Sequence, residues 1–90
     1  MLSSELIASQ LAWVTGAPPA AQFQCKAKVR YRQPDQACDV RVRDNGDIEI
    51  RFASAQRAVT PGQYAVLYAG DECLGGGVIS SVAGPELHRA

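Results

Sequence analysis

The chain has 90 residues, no net charge at neutral pH and 47% hydrophobic residues. This length fits one small domain, and the composition excludes intrinsic disorder. No apolar run reaches the ~18 residues of a membrane span and the first residues lack the cationic start of a signal peptide, so we expect a cytoplasmic protein without membrane contact.

The N-terminal segment is the first element along the chain. Leu2–Leu11 has a mildly helical composition, but an isolated helix of this length is marginal in water. We therefore expect a frayed lead-in that ends in a short strand over Ala12–Val14, before Gly16–Pro19 breaks regular structure.

The next segment, Cys25–Gln33, alternates cationic and apolar residues. Because successive side chains of a strand point to opposite faces, this pattern predicts a strand over about 21–32 with an apolar inner face and a cationic outer face. The cationic face, called the basic ribbon below, consists of Lys26, Lys28, Arg30 and Arg32. Such a ribbon suits an anionic partner such as a nucleic-acid backbone, although solvated strand faces of other proteins have the same composition.

Two further segments, Ala37–Arg43 and Ile48–Phe52, alternate in the same way. They flank an Asn-Gly dipeptide at 45–46, which is a strong hairpin signal, and are predicted to pair as antiparallel strands. The residues that follow, 53–60, are predicted to form a polar connection with Ala58–Val59 as a candidate short strand.

The last third of the chain supplies two more predicted strands, over 63–68 and 73–81. Pro61 and Gly62 suit the central positions of a type II turn before the first of them. The second contains Gly75–Gly77. A glycine-rich phosphate cradle opens a helix, whereas these glycines precede β-branched residues. They indicate a bulge, a bend or the close approach of another backbone, which includes that of a ligand or a partner domain.

Short strands at regular spacing, with turn signals between them and no convincing helix, indicate an all-β sandwich or a small closed barrel. Closing such a sheet on itself buries its apolar face and removes its edges. We therefore predict a small closed antiparallel β-barrel of about six strands. The predicted division is a lead-in or linker with a short strand over 1–20, the barrel over 21–82 and a flexible tail over 83–90.

The charged and reactive residues indicate binding rather than catalysis. Phe23–Arg57 contains eight Lys and Arg against five Asp and Glu, so a locally basic field coexists with overall neutrality. His88 lies near the C-terminus, where we expect a solvated side chain and no catalytic set. The three cysteines are widely spaced and predict no metal site, and a reducing compartment predicts no disulfide. Cys25 and Cys38 are expected to be buried apolar residues.

Several sequence blocks resemble the C-terminal region of bacterial tRNA-specific 2-thiouridylases, the MnmA/TrmU family. The blocks are Lys28-Val29-Arg30-Tyr31-Arg32-Gln33, Cys38, Ala58-Val59-Thr60-Pro61-Gly62-Gln63 and Cys73-Leu74-Gly75-Gly76-Gly77-Val78-Ile79, entered through Leu11-Ala12-Trp13-Val14. Their order and spacing also match, from about Leu6 to Ile79. Ala37, where the family pattern has proline, is a minor departure.

The resemblance implies that the chain is a fragment of a larger enzyme. That enzyme has an N-terminal ATP pyrophosphatase domain with an S-G-G-x-D-S motif, a central domain and a C-terminal β-barrel. With ATP and Mg it activates the C2 oxygen of the wobble uridine and replaces it with sulfur carried on a catalytic cysteine. This chain has neither that motif nor the catalytic cysteine contexts, so no catalytic residue and no cofactor is assigned to it.

The resemblance also implies roles in binding. The barrel would help to embrace the tRNA and cover the active site, with the basic ribbon neutralising phosphates near the anticodon arm. Backbone would approach the tRNA or the catalytic domain at Thr60, Pro61, Gly62, Gln63, Gly75, Gly76 and Gly77. Implied partners are tRNA, the catalytic and central domains and, through the parent enzyme, a sulfur-carrier protein. Two alternatives stay open: a docking module that contacts only its own enzyme, and a stand-alone small-ligand barrel.

Overall fold

The computed structural model describes residues 2–29, 36–57 and 61–83. These residues form six strands: β1 (Leu2–Trp13), β2 (Gln22–Lys28), β3 (Gln36–Val42), β4 (Ile48–Arg57), β5 (Tyr64–Ala69) and β6 (Glu72–Ala83). All pairings are antiparallel, and the sheet closes in the order β1-β4-β3-β2-β5-β6. The predicted all-β closed barrel is confirmed. No helix within the described ranges is long and apolar enough to span a membrane.

The first strand differs most from the prediction. β1 pairs with both β4 and β6, so the frayed lead-in expected over Leu2–Leu11 is wrong. The strand expected over Ala12–Val14 is present at Ala12 and Trp13, as the end of the longer strand β1. The helical preference of this composition is weak, and hydrogen bonds offered by two neighbouring strands override it. The register of β1 also shifts around Gln10, whose φ is +53°. That irregularity interrupts the alternation of apolar and polar residues by which a strand is recognised in a sequence.

The fourth strand is longer than predicted for a related reason. The sequence predicts an end near Phe52, followed by a polar connection. In the structure β4 runs to Arg57, and its last residues pair with the start of β1. An unforeseen partner strand therefore extends it. The candidate short strand Ala58–Val59 lies outside the described residues.

The hairpin between β3 and β4 forms as predicted around Gly46. The Arg43 N–H donates to the carbonyl of Asp47 at 2.8 Å, and the Gly46 N–H donates back to the carbonyl of Arg43 at 3.0 Å. Gly46 has a φ of +92°, a left-handed conformation that costs glycine little. This turn sets the register that brings the charged outer residues of β3 opposite those of β4.

Inward-facing side chains fill the barrel interior. The largest fully buried ones are Val40, Ile48, Ile50, Leu67 and Ile79. Trp13 and Phe23 pack against this core with their rings edge to face, at a centroid distance of 6.2 Å. The core thus draws on strands from the whole described chain, which binds distant segments into one cooperative unit.

The sixth strand approaches its neighbours very closely along Gly75–Gly77, all of which are buried. A methyl group on Gly77 would lie 2.6 Å from the carbonyl oxygen of Ser9 in β1, and one on Gly76 would lie 2.7 Å from that of Ala65 in β5. The expected close approach of another backbone is therefore made by strands of this chain. Side chains larger than hydrogen would separate them.

Candidate nucleic-acid interface

The described part of the basic ribbon lies on the outer face of β2. Lys26 is exposed and Lys28 is half-buried, whereas Ala27 and Val29 on the opposite face are buried in the core. The strand geometry inferred from the alternation is thus confirmed for these residues. The two lysines are about 6.6 Å apart along the strand, from a rise of about 3.3 Å per residue. The remaining members, Arg30 and Arg32, lie outside the described residues.

Two tyrosines accompany these lysines on the neighbouring strand β5. Lys26 pairs with Tyr68 and Lys28 with Val66, which puts Tyr64 and Tyr68 diagonally on either side of Lys28. Tyr64 is 52% exposed and Tyr68 is half-buried. Aromatic rings beside cations are the usual composition of surfaces that bind unpaired nucleotides. Both tyrosines were missed in the sequence. The signal that could have found them is the pair of small and apolar residues between them, Ala65 and Leu67, which face inward and so place the tyrosines on the outer face.

Tyr64 owes its position to the glycine run of β6. Its ring carbons Cε2 and Cδ2 occupy the space where a side chain on Gly76 would stand. The glycine therefore makes room for the ring on the barrel surface as well as for the backbone of β5. The ring is supported from below by β6 while about half of its surface stays accessible.

Three arginines on or next to β3 and β4 lie against carboxylates. Glu49 accepts from Arg43 at 3.0 Å and lies 3.6 Å from Arg41. Arg51 donates to Glu5 of β1 at 3.0 Å. Such exposed pairs add little stability, but they cancel much of the positive potential on this side of the barrel. The basic excess of the sequence is therefore not spread evenly over the surface.

By contrast, Lys26 and Lys28 form no ion pair within the ranges that the structure describes. Asp39 lies on the same face of the sheet as Lys26, but its direct partner is Gln24, whereas the direct partner of Lys26 is Ala37. The outer face of β2 beside β5 is consequently the surface where described cations are available to an external anion.

The predicted backbone positions fall into two groups. Pro61 and Gly62 are exposed, and Gly62 has the positive φ, +95°, that a type II turn needs at this position. The Gly62 N–H donates to the carbonyl of Ile79, whose own N–H donates to the carbonyl of Gln63, both at 2.8 Å. This turn therefore continues the β5–β6 ladder. Thr60 lies outside the described residues.

The second group, Gly75–Gly77, is buried in the middle of a strand. That is not the loop before a helix that cradles phosphates, so these residues do not fit the phosphates of ATP. No group of three or more His, Cys, Asp or Glu in the described ranges is arranged to hold a metal ion. No step through ATP or Mg is therefore assigned to these residues. Contact of Gly75–Gly77 with tRNA or another domain stays a prediction.

The two cysteines predicted to be inward-facing meet across β2 and β3. Cys25 is half-buried, Cys38 is 5% exposed, and their sulfur atoms are 3.8 Å apart. A hydrogen bond from Cys38 lowers the pKa of the Cys25 thiol, although burial and the charge of Asp39 act in the opposite direction. The same hydrogen bond, together with burial, raises the pKa of Cys38. Cys73 is exposed.

Two grooves lie on the outer surface of β3 and β4. One has a volume of about 150 Å³ between β1, β3 and β4, and a wider, open one of about 490 Å³ is lined by residues such as Arg41, Arg43 and Asp44. Drug-sized ligands usually occupy concave, mostly apolar pockets. These grooves are charged, and the barrel interior is filled, so neither supports the small-ligand alternative.

Comparison with known protein families identifies the class of this domain. Residues 3–79 match the family described as aminomethyltransferase beta-barrel domain. The match includes every strand of the barrel in part or in full. The fold and the match therefore agree on a small β-barrel module.

The relatives show which enzymes carry the module. The chain is 56% identical over 86 residues to tRNA-specific 2-thiouridylase MnmA of Xanthomonas axonopodis pv. citri, and 54% identical over 89 residues to that of Stenotrophomonas maltophilia. The alignments cover 94% and 99% of this chain but 23% of each relative. The chain belongs to the family of C-terminal β-barrel domains of tRNA-specific 2-thiouridylases, and the resemblance read from its sequence is confirmed.

Proposed function

We propose that this domain contacts tRNA through the outer face of β2, as the non-catalytic C-terminal part of an enzyme that converts the wobble uridine to 2-thiouridine. The observation that carries the proposal is the contrast between the cations. Lys26 and Lys28 have no carboxylate partner in the described ranges. By contrast, Arg41, Arg43 and Arg51 each lie against a carboxylate. Unpaired cations gain most from a phosphate, because no internal ion pair has to be broken first.

Contact with bases would come from the neighbouring tyrosines. A ring beside a phosphate-binding lysine can stack on an unpaired base while the lysine holds the backbone. Tyr64 has the accessible surface for this, and Tyr68 lies next to Lys26. The anticodon arm contains such unpaired bases, which makes it the suitable part of the tRNA. Arg30 and Arg32 would extend the phosphate contact along the chain.

The remaining roles belong to the longer protein, of which this chain spans about a quarter. The name of the relatives supports tRNA as the partner. We expect ATP and Mg to act in the catalytic domain, a sulfur-carrier protein to supply sulfur, and this domain to lie against the catalytic and central domains in the cytoplasm. Among the described backbone positions predicted for such contacts, Pro61 and Gly62 are exposed.

The test of the basic ribbon is a titration of the 90-residue chain with a tRNA transcript at several salt concentrations. Four phosphate contacts predict a slope of about −3 to −4 for log affinity against log salt. Changing Lys26→Ala and Lys28→Ala together should reduce the magnitude of that slope by about 2 and weaken binding roughly tenfold near 0.1 M salt.

A matched control separates the ribbon from net charge. Arg41→Ala with Arg43→Ala removes the same number of positive charges from the β3 side, where both arginines face Glu49. This variant should keep the slope of the unaltered chain. Equal losses in the two double variants would contradict the role of the ribbon. A chain that ignores tRNA even at low salt would favour the docking-module alternative.

Stacking makes a separate prediction in the same titration. Tyr64→Ala should weaken tRNA binding by about 1 kcal/mol, roughly fivefold, because base stacking on an aromatic ring is lost. The salt slope should not change, since no charge is removed. Tyr64→Phe retains the ring and should bind like the unaltered chain. A loss of the same size in Tyr64→Phe would mean that the hydroxyl, not stacking, is responsible.

A further inference from the structure

We propose that the cysteine pair Cys25 and Cys38 is a thiol modification site, at which a hydroperoxide converts the two thiols into a disulfide between β2 and β3. Neither the family match nor the proposed contact with tRNA requires this reaction. The inference rests on the placement of the two sulfurs and on the difference between their surroundings.

The two residues are direct partners in the antiparallel register of β2 and β3. Directly paired residues have Cα atoms about 4.5–5.5 Å apart, which lies within the range of about 4.4–6.8 Å that disulfides span. Both side chains are on the same face, and their sulfurs are 3.8 Å apart. The bond can therefore close by small side-chain rotations, without moving either strand.

The two thiols differ in exposure and in pKa, as a two-step oxidation requires. Cys25 is half-buried, so a small oxidant can reach it, whereas Cys38 is 5% exposed. The hydrogen bond from Cys38 favours the thiolate of Cys25 by lowering its pKa. A thiolate is the form that attacks a peroxide. Cys25 is therefore the attacking residue and Cys38 the resolving residue.

The reaction balances in two steps. The Cys25 thiolate attacks one peroxide oxygen; the O–O bond breaks, an S–O bond forms, and hydroxide leaves, which gives Cys25 sulfenic acid. The Cys38 sulfur then attacks the sulfenic sulfur; the S–S bond forms, the S–O bond breaks, and the departing oxygen takes the Cys38 proton and leaves as water. Two electrons pass from the sulfurs to the peroxide.

The third cysteine provides an internal comparison. Cys73 is exposed and pairs with Tyr68, whose neighbour Leu67 points inward. Cys73 therefore lies on the outer side of the sheet, away from the cysteine pair. If exposure alone decided reactivity, Cys73 would be the most easily oxidised thiol. A disulfide that does not include Cys73 would therefore show that the placement of the sulfurs decides which thiols pair.

The experiment treats the reduced 90-residue chain with hydrogen peroxide, blocks the remaining thiols with N-ethylmaleimide, and identifies linked peptides by mass spectrometry without reductant. We expect a product two hydrogen masses lighter before blocking, with Cys25 joined to Cys38. The Cys73→Ser variant should form the same bond. Linkage that involves Cys73 within one chain, or full blocking of both Cys25 and Cys38 after peroxide, would overturn the proposal.

Two further samples guard against a misleading result. In the Cys38→Ser variant the resolving thiol is missing, so Cys25 should accumulate as sulfenic acid, which a dimedone probe traps. Oxidation of the unaltered chain in guanidinium chloride should yield mixed pairings with Cys73, because the strand register is lost. If the unfolded chain gives the Cys25–Cys38 bond as selectively as the folded one, the fold does not direct the reaction and the proposal fails.

Discussion

Replacing Leu67 by alanine is expected to lower the free energy of unfolding by about 3 kcal/mol. Leu67 is completely buried at the centre of β5, between β2 and β6. Removing its branched end leaves a cavity that a closed sheet cannot collapse around, because every strand is held by neighbours on both sides. In a domain of this size the loss corresponds to a fall in melting temperature on the order of 15 °C.

Chemical denaturation followed by circular dichroism measures this change. Val14→Ala is the matched control, because Val14 is the most exposed large hydrophobic residue of the described chain, at 67%. Its truncation should change the unfolding free energy by less than about 0.5 kcal/mol. Similar losses in both variants would contradict the packing of β5 described above.

The second large effect is expected for Gly77→Ala. The added methyl would stand 2.6 Å from the carbonyl oxygen of Ser9 and 3.1 Å from both terminal carbons of Leu11. The leucine can rotate away, but the carbonyl belongs to β1, so relief requires the β1–β6 pair to separate. Overpacking of this kind costs about 2–3 kcal/mol. No left-handed conformation is involved at this residue, so the cost comes from contact alone.

The same denaturation experiment tests this substitution. Ser81→Ala on the same strand is the control, because Ser81 is exposed and its truncation should leave stability within about 0.5 kcal/mol. An unchanged midpoint for Gly77→Ala would show that β1 and β6 are further apart than described. It would also leave the buried position of the glycine run without a structural reason.

The strands that could be located from the sequence are those with one charged face and one apolar face. β2 and β3 alternate charged with apolar residues, so their period and their inward sides could be read directly. β1 could not be found in this way. Its partners lie far along the chain in β4 and β6, and the irregularity at Gln10 interrupts its alternation. Pairing at such distances depends on the closed sheet and leaves no local signal.

The candidate interface was predictable to a similar extent. The lysines of β2 followed from local alternation, but the tyrosines did not, because β5 carries apolar residues on both faces. The neutralisation of Arg51 was also hidden, since its partner Glu5 is 46 positions away. Counting charges along the sequence therefore overstates the basic character of β3 and β4. Only the register between strands shows which cations have partners.

Closure of the sheet has a consequence for how this domain meets other molecules. Each strand has a neighbour on either side, so the described part of the sheet has no edge strand. Attachment of a peptide or a second copy by strand addition, which is a common route to association and to aggregation, is therefore disfavoured. Recognition must then rely on protruding side chains and turns. Its preferences can accordingly evolve by single surface replacements while the scaffold beneath stays the same.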